Sequence, residues 1–489
     1  MKRILLVMLS LGLVLAFSAS AMAVDVKFSG SFYAAGMYQD RTSLVSIDNT
    51  ASTGVNTSTA FYYQRLRVQT DFIASPGLKL VTRFDAMERI WGGIRGEENP
   101  AWNSSTGGAS GQGPAPGSAG TRTENQNIAF DWAYVSYTSP IGLIEVGYQA
   151  DNGWGTVFGN NAINGASVGK INYLLPVGPV YISATVSKPY DNNSSAIAAS
   201  GRTDVDRDNW SLAAIWAANK DIQLGLLGSF QHIATGRPAA MQQPYLLPFA
   251  YNAKVYGINP YAKAKFGKVA VEAEFLYVFG KVSLEDGATR ANAPYSTPVN
   301  EIAVRNMSAY LNVLADFDKV YGGFTFAYIS GDDNQNGLEV VEGGFVDGGV
   351  DFTPTLIMFN SERTYWAGDL KGWNYTYSGA LLGSTGPTPN ASVMSNAWFA
   401  QGNIGFRPMA ALDIKASVAY AVADKPVDMM QNKYGWEFDL TGTYKITNNL
   451  SYMLGAGYWW VGDYYKGTTD YNRDLSNNYL LINKLTLTF

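Results

Sequence analysis

Apolar and polar residues alternate with a period of two along most of this chain. In Phe61–Ile73, Tyr62, Leu66, Val68 and Phe72 hold even positions, and Arg65, Arg67, Gln69 and Asp71 hold odd ones. In Lys433–Ile446, Tyr434, Trp436, Phe438, Leu440, Tyr444 and Ile446 oppose Lys433, Glu437, Asp439, Thr441, Thr443 and Lys445. In Asn127–Tyr137 the same alternation sets Ile128, Phe130, Trp132 and Tyr134 on one face and Asp131 on the other. The chain ends on Tyr479, Leu481, Leu485, Leu487 and Phe489 at alternate places, broken by Asn483, with Lys484, Thr486 and Thr488 between them. Successive side chains of a strand point to opposite faces, so each segment predicts a β-strand with one apolar and one wet face.

Tight turns and long polar excursions separate these strands in regular alternation. The turns are Ser75-Pro76-Gly77, Ser139-Pro140-Ile141-Gly142, Pro176-Val177-Gly178 and Asn219-Lys220 in the first half. Gly267-Lys268, Phe317-Asp318-Lys319, Pro408-Met409-Ala410 and Thr447-Asn448-Asn449 follow. Eight turns alternating with nine longer loops give about eighteen strands. Sixteen to twenty stay open, because 331–391 is long enough to hide a hairpin around Thr353–Trp366. An even number of strands with both termini on the short-turn side predicts an all-β fold, a transmembrane antiparallel β-barrel. Its short turns would be periplasmic and its long loops, 331–391 the largest, extracellular.

A two-sheet soluble sandwich would also alternate, and the rest of the sequence weighs against it. Lys2-Arg3, an apolar run Ile4–Phe17 and Ala21-Met22-Ala23 have the layout of a secretory signal peptide over 1–23. That leaves 24–489 as a single barrel, since no linker or repeat divides it and no later run approaches about eighteen apolar residues. Charged residues are 15% of the chain, against roughly a quarter in soluble domains. Aromatics gather near strand ends (Tyr434, Trp436, Tyr458, Trp460, Tyr479), as at a membrane interface. The chain has no Cys, which excludes disulfides and lipoprotein acylation, and its net charge of −5 argues against nucleic-acid partners.

With lipid on the apolar side, the charged face lines a lumen. Closing the turns as short hairpins sets Arg67 opposite Asp85, Gln69 opposite Arg83, and Lys263 opposite Glu272, and brings Arg407 near Asp413 and Lys415. Arg65, Arg67 and Arg83 against Asp85 could supply a transverse field at a constriction, or could simply brace the wall as cross-strand pairs.

The run Gly147–Gly159 (GYQADNGWGTVFG) resembles the segment of bacterial porins where a strand leads into an inward-folded constriction loop. It departs from that pattern at Tyr148, where porins often carry Arg. The C-terminal Phe489, with apolar residues two and four places before it, resembles the signal read by the outer-membrane assembly machinery. Within porins the chain looks most like those of anaerobic proteobacteria. The resemblance implies an outer-membrane location and a homotrimer as one open assembly. It also implies passive diffusion of small hydrophilic solutes and ions, with Trp154, Gly155, Thr156 and Phe158 in the constriction loop. The alternative for that loop is an external Gly/Asn loop that never enters the lumen.

Asp332-Asp333-Asn334-Gln335-Asn336-Gly337 opens like a calcium loop, with Asp332, Asn334 and Asn336 as candidate Ca2+ ligands. The twelfth position is Gly343 instead of Glu, so a plain hydrophilic turn is the competing reading. No other cofactor is indicated. His232 is the only histidine and sits near a strand end, without the companions that acyl-transfer or multi-histidine metal chemistry needs. The expectation is a porin and not an enzyme. A dedicated channel or conduit component (a polysaccharide exporter or a sheath for a partner protein) and a barrel enzyme or adhesin are the alternatives.

Overall fold

A computed structural model of the chain describes residues 24–44, 58–91, 128–191, 206–234, 251–284, 301–332, 340–343, 349–368, 370, 394–426, 431–466 and 474–489. The expected signal peptide, 1–23, lies outside the described residues. The first strands are β1 (Asp25–Gln39), β2 (Thr59–Ser75), β3 (Leu78–Ile90), β4 (Ala129–Ser139), β5 (Gly142–Ala150) and β6 (Ser167–Val177). Next come β7 (Val180–Tyr190), β8 (Arg207–Asn219), β9 (Ile222–Ile233), β10 (Tyr251–Phe266), β11 (Val269–Leu284), β12 (Glu301–Asp316) and β13 (Val320–Ile329). A two-residue β14 (Val340–Val341) precedes β15 (Ala397–Met409), β16 (Leu412–Ala423), β17 (Lys433–Lys445), β18 (Leu450–Val461) and β19 (Asn478–Thr488).

All nineteen strands belong to one sheet. Setting β14 aside, the remaining eighteen run antiparallel, β13 pairing β15 and β1 pairing β19 to close the ring. The first strand meets the last over Ser31–Gln39 against Leu480–Thr488. Closure leaves no edge with unpaired N–H and C=O groups, which is what a sheet needs to stand in hydrocarbon. All eight expected hairpin turns are present; Gly77 (φ 82°) and Gly267 (φ 62°) supply the left-handed turn residue that a Cβ would strain.

The face assignment follows the alternation. Phe28, Tyr62, Leu212, Leu226, Ile404, Trp436, Leu440, Leu454 and Leu481 all point outward and are exposed. A soluble protein would not present so large a continuous apolar surface, whereas a lipid-facing wall requires it. The fold therefore defines the chain as a multi-pass transmembrane β-barrel of the outer-membrane type.

Three bulges change what alternation alone predicts. At the one between β16 and β17, next to Gly435 (φ 121°), Tyr434 is not on the lipid face expected for it but is buried inside against Phe359. Arg83 pairs with Trp132 but Phe84 pairs with Phe130, so Asp131 is an extra residue in β4. Trp132 and Tyr134, expected beside Phe130 in lipid, accordingly turn to the lumen with Asp131. Between β2 and β3, Leu66 pairs with Ala86 and Gln64 with Arg89, with Met87 held at φ 53°. The resulting kink swings Glu88 inward to Arg65, 3.6 Å away.

The long 331–391 segment also departs from expectation. Its described part, 349–368 and 370, is not external; it packs against the inner face of the barrel. Ile357, Met358 and Phe359 are buried there with Phe399, Tyr434 and Leu480 in the main apolar cluster. Four consecutive apolar residues, Leu356–Phe359, gain more from this burial than from water. In place of a hairpin, the segment forms a short helix α1 (Ser361–Ala367), capped by Asn360, whose side chain accepts from the Arg363 N–H.

Candidate functional site

The lumen is divided by two inward segments, the third loop (151–166) and 349–370. Each is fastened to inward-facing residues of the wall, and they are fastened to each other.

The third loop is anchored on β10–β12. Glu274 Oε2 accepts from both the backbone N–H and the hydroxyl of Thr156, each at 2.6 Å. Asn259 donates to Glu274 at 3.1 Å, and the Trp154 indole donates to the Asn259 carbonyl at 3.0 Å. Phe158 stacks on Tyr310 with ring centroids 5.2 Å apart. Gly155 (φ 81°) sits so close to Glu274 that a Cβ would fall 2.4 Å from its Oε1, so only glycine lets the carboxyl reach Thr156. Trp154, Gly155, Thr156 and Phe158 thus lie together inside the barrel.

The tip of that loop meets the arginine wall. Arg67 grips Asp85 through two parallel bonds of 2.7 Å, reaches Asp131 at 3.3 Å and donates to the Ile163 carbonyl at 2.6 Å. Arg83 donates to Asp131 at 3.0 Å and to the carbonyls of Ala162 and Ile163 at 3.2 and 3.3 Å. Its guanidinium lies 3.6 Å from the Trp132 ring centroid. Arg65 pairs with Glu88, reaches Asn164 at 3.5 Å and lies over Tyr33. The registers Arg67–Asp85, Gln69–Arg83 and Lys263–Glu272 are those of the hairpin pairing.

The second segment completes the partition. Asp351 accepts from the Ile163 and Asn164 backbone N–H groups at 2.9 and 3.0 Å, and Val350 N–H donates to Asn161 at 2.8 Å. Farther along, Ile357 and Met358 N–H donate to the two oxygens of Glu437 at 2.6 and 2.7 Å, and Leu356 N–H to Asp439 at 3.3 Å. Trp366 stacks on Tyr63 at 4.6 Å and donates to the Tyr33 hydroxyl at 3.1 Å. Lys484 holds Glu362 at 2.7 Å. Burial alone would raise the Glu362 carboxyl, but Lys484 and then Arg65 outweigh it and hold it below the usual Glu value.

Asp131, Glu88, Trp132, Glu274, Asp351, Glu437 and Asp439 all take part, and sequence reasoning had given none of them a site role. Glu437 and Asp439 were legible only as wet-face residues, and Glu272 stood out over Glu274 because Lys263 is its hairpin partner. Of the calcium candidates, Asp332 accepts from the Glu342 N–H at 3.1 Å, while Asn334 and Asn336 lie outside the described residues. Among the described residues, no group of three or more acidic or histidine side chains is placed to hold a metal ion.

The geometry is that of a porin-like barrel with an internal constriction. No family model matches the chain, and no curated protein matches it in sequence. Solved structures similar to it include the outer membrane channel DcaP of Acinetobacter baumannii, at 9% identity and a TM-score of 0.41 over 96% of this chain and 99% of that one. A BenF-like porin from Pseudomonas fluorescens Pf-5 matches at 12% identity and TM-score 0.47, covering 95% and 99%. Acinetobacter baumannii OccAB1 matches at 11% and 0.48, covering 96% and 99%. Similarity at this level assigns no family.

Proposed function

We propose that this protein is a passive outer-membrane channel, carrying small hydrophilic solutes through a water-filled lumen without a chemical step. The observation that carries this reading is the closed ring with an apolar outer face and a polar inner one, narrowed by two anchored segments. Such a wall keeps lipid out of the lumen and hydrates what passes. Within it, Arg65, Arg67 and Arg83 hold the tip of the third loop in place, so their first role is to fix the width of the constriction. The Lys263–Glu272 pair lines the wall on the periplasmic side. Single-channel recording of the purified barrel in planar bilayers tests this: discrete, ohmic steps are expected, and a folded barrel that never conducts would remove the reading.

One observation favours a second function, a dedicated conduit component opened by a partner. The segment 349–370 fills lumen space with an apolar core, as a plug does. That reading expects conductance only after the segment is released.

A further inference from the structure

The partition is one-sided. Its polar and ring contacts fall on β1–β3 (Tyr33, Arg67, Arg83), on β10–β12 (Asn259, Glu274, Tyr310), on β15 (Gln401) and on β17 and β19 (Glu437, Lys484). Counted round the closed ring, β6–β9 stand opposite β16–β19, against which 349–370 packs. Among the described residues, the lumen left clear of these two segments is therefore bordered by β6–β9.

The inward face of those strands has its own chemistry. Ile171, Val186, Leu212 and Leu224 point to lipid, so alternation turns Asn172, Thr185, Asn209, Ser211, Gln223 and Gln231 inward. Asn172, Thr185 and Ser211 form one row across three strands. These are amides and hydroxyls, not charges. The ionised side chains nearest to them, Glu145, Lys170 and Arg207, are of both signs and are held in place by hydrogen bonds to neutral groups. Glu145 accepts from Asn172 at 3.1 Å, Lys170 donates to the Ala150 carbonyl at 2.6 Å, and Arg207 donates to Gln231 at 2.9 Å.

Such a surface treats solutes unequally. A solute hydroxyl that sheds a water finds an amide or hydroxyl to replace it, so little is lost. An ion that sheds water there meets mainly neutral dipoles, with fixed charges of both signs only at Glu145, Lys170 and Arg207, so neither sign is favoured and its desolvation is less fully compensated. We infer that the open path follows β6–β9 and favours neutral, hydroxyl-rich solutes, short polyols and sugars, over ions of either sign. This deepens the channel reading above and rests on it.

Proteoliposomes carrying the full mature barrel test it by swelling in ribose, lysine and glutamate, alongside reversal potentials in a KCl gradient. Ribose should enter faster than either amino acid, and the reversal potential should lie near zero. A unit charge at about 7 Å in water changes local ion concentration roughly threefold. Ser211→Asp should therefore shift the reversal potential toward cations and Ser211→Lys toward anions. Strong charge selectivity in the unmodified barrel would overturn the inference. So would unchanged reversal potentials in both variants when each is folded by heat-modifiability, since the path would then lie elsewhere. A folded barrel that passes none of these solutes and no current would bring down the channel reading itself, which is a different failure.

Discussion

Replacing Glu437 probes how firmly the inner segment is held. Its carboxyl is fully buried and accepts two successive backbone N–H groups, from Ile357 and Met358. Glu437→Ala takes the acceptor from both donors and leaves Asp439, which already holds the Leu356 N–H, as the nearest carboxylate. An orphaned buried donor costs about 1–3 kcal/mol, so the pair disfavours the docked segment by roughly 2–6 kcal/mol. At about 1.4 kcal/mol per factor of ten, the lower figure alone raises the released population roughly thirtyfold. The β17 strand keeps its ladder bonds to β16 and β18, so the barrel should still fold. Glu437→Gln, which keeps one acceptor oxygen, should fall between. In planar bilayers the Ala variant should show larger or noisier steps than the parent, and limited proteolysis should cut near Leu356–Phe359 sooner. Conductance and cleavage matching the parent in a folded Ala variant would refute the idea that this carboxyl latches the segment.

Other outcomes follow from the same geometry. The Glu362 carboxyl has a folded pKa below its ordinary 4.5, so its tie to Lys484 is fully present above that value and is lost as pH falls through the lower folded one. The part of the pH response that Glu362 carries should therefore appear only below about pH 4.5, as larger or less stable conductance, and Glu362→Gln should remove that part. At the seam, the Phe489 ring lies so near Gly30 that a Cβ there would come within 2.9 Å of it, and the terminal backbone bonds Gly30 in both directions. Phe489→Ala and Gly30→Val should each lower the yield of heat-modifiable barrel in cells, whereas Leu66→Val on the lipid face should not. A tag at Gly267-Lys268 should be labelled only after the outer membrane is opened, and one within 103–121, outside the described residues, on intact cells; the reverse would invert the orientation.

Much of this fold was readable because a barrel wall is a local code. Period-two alternation and eight tight turns define strands, faces and order one hairpin at a time, and the Arg67–Asp85 register follows from a single turn. What was hidden depends on contacts that no local pattern carries. Trp132 looks lipid-facing until the extra residue Asp131 shifts its phase. Glu88 turns inward only because Met87 accepts a left-handed backbone. The inward course of 349–370 is set by Glu437 and Asp439, about eighty residues farther along the chain. A long polar loop reads the same whether it lies outside a barrel or within it.

The chain lacks cysteine, so a single introduced thiol reports on one place without background. Ser211 faces the lumen and Leu212, its neighbour on β8, is exposed to lipid. Ser211→Cys and Leu212→Cys barrels, recorded in planar bilayers before and after a charged, water-soluble thiol reagent, test directly whether this inner face lines a conducting path. The account predicts that current through the Ser211→Cys barrel falls and that the Leu212→Cys barrel neither reacts nor changes. A reactive Leu212→Cys barrel beside a silent Ser211→Cys one, or full modification of the Ser211→Cys barrel with no change in its current, would contradict it.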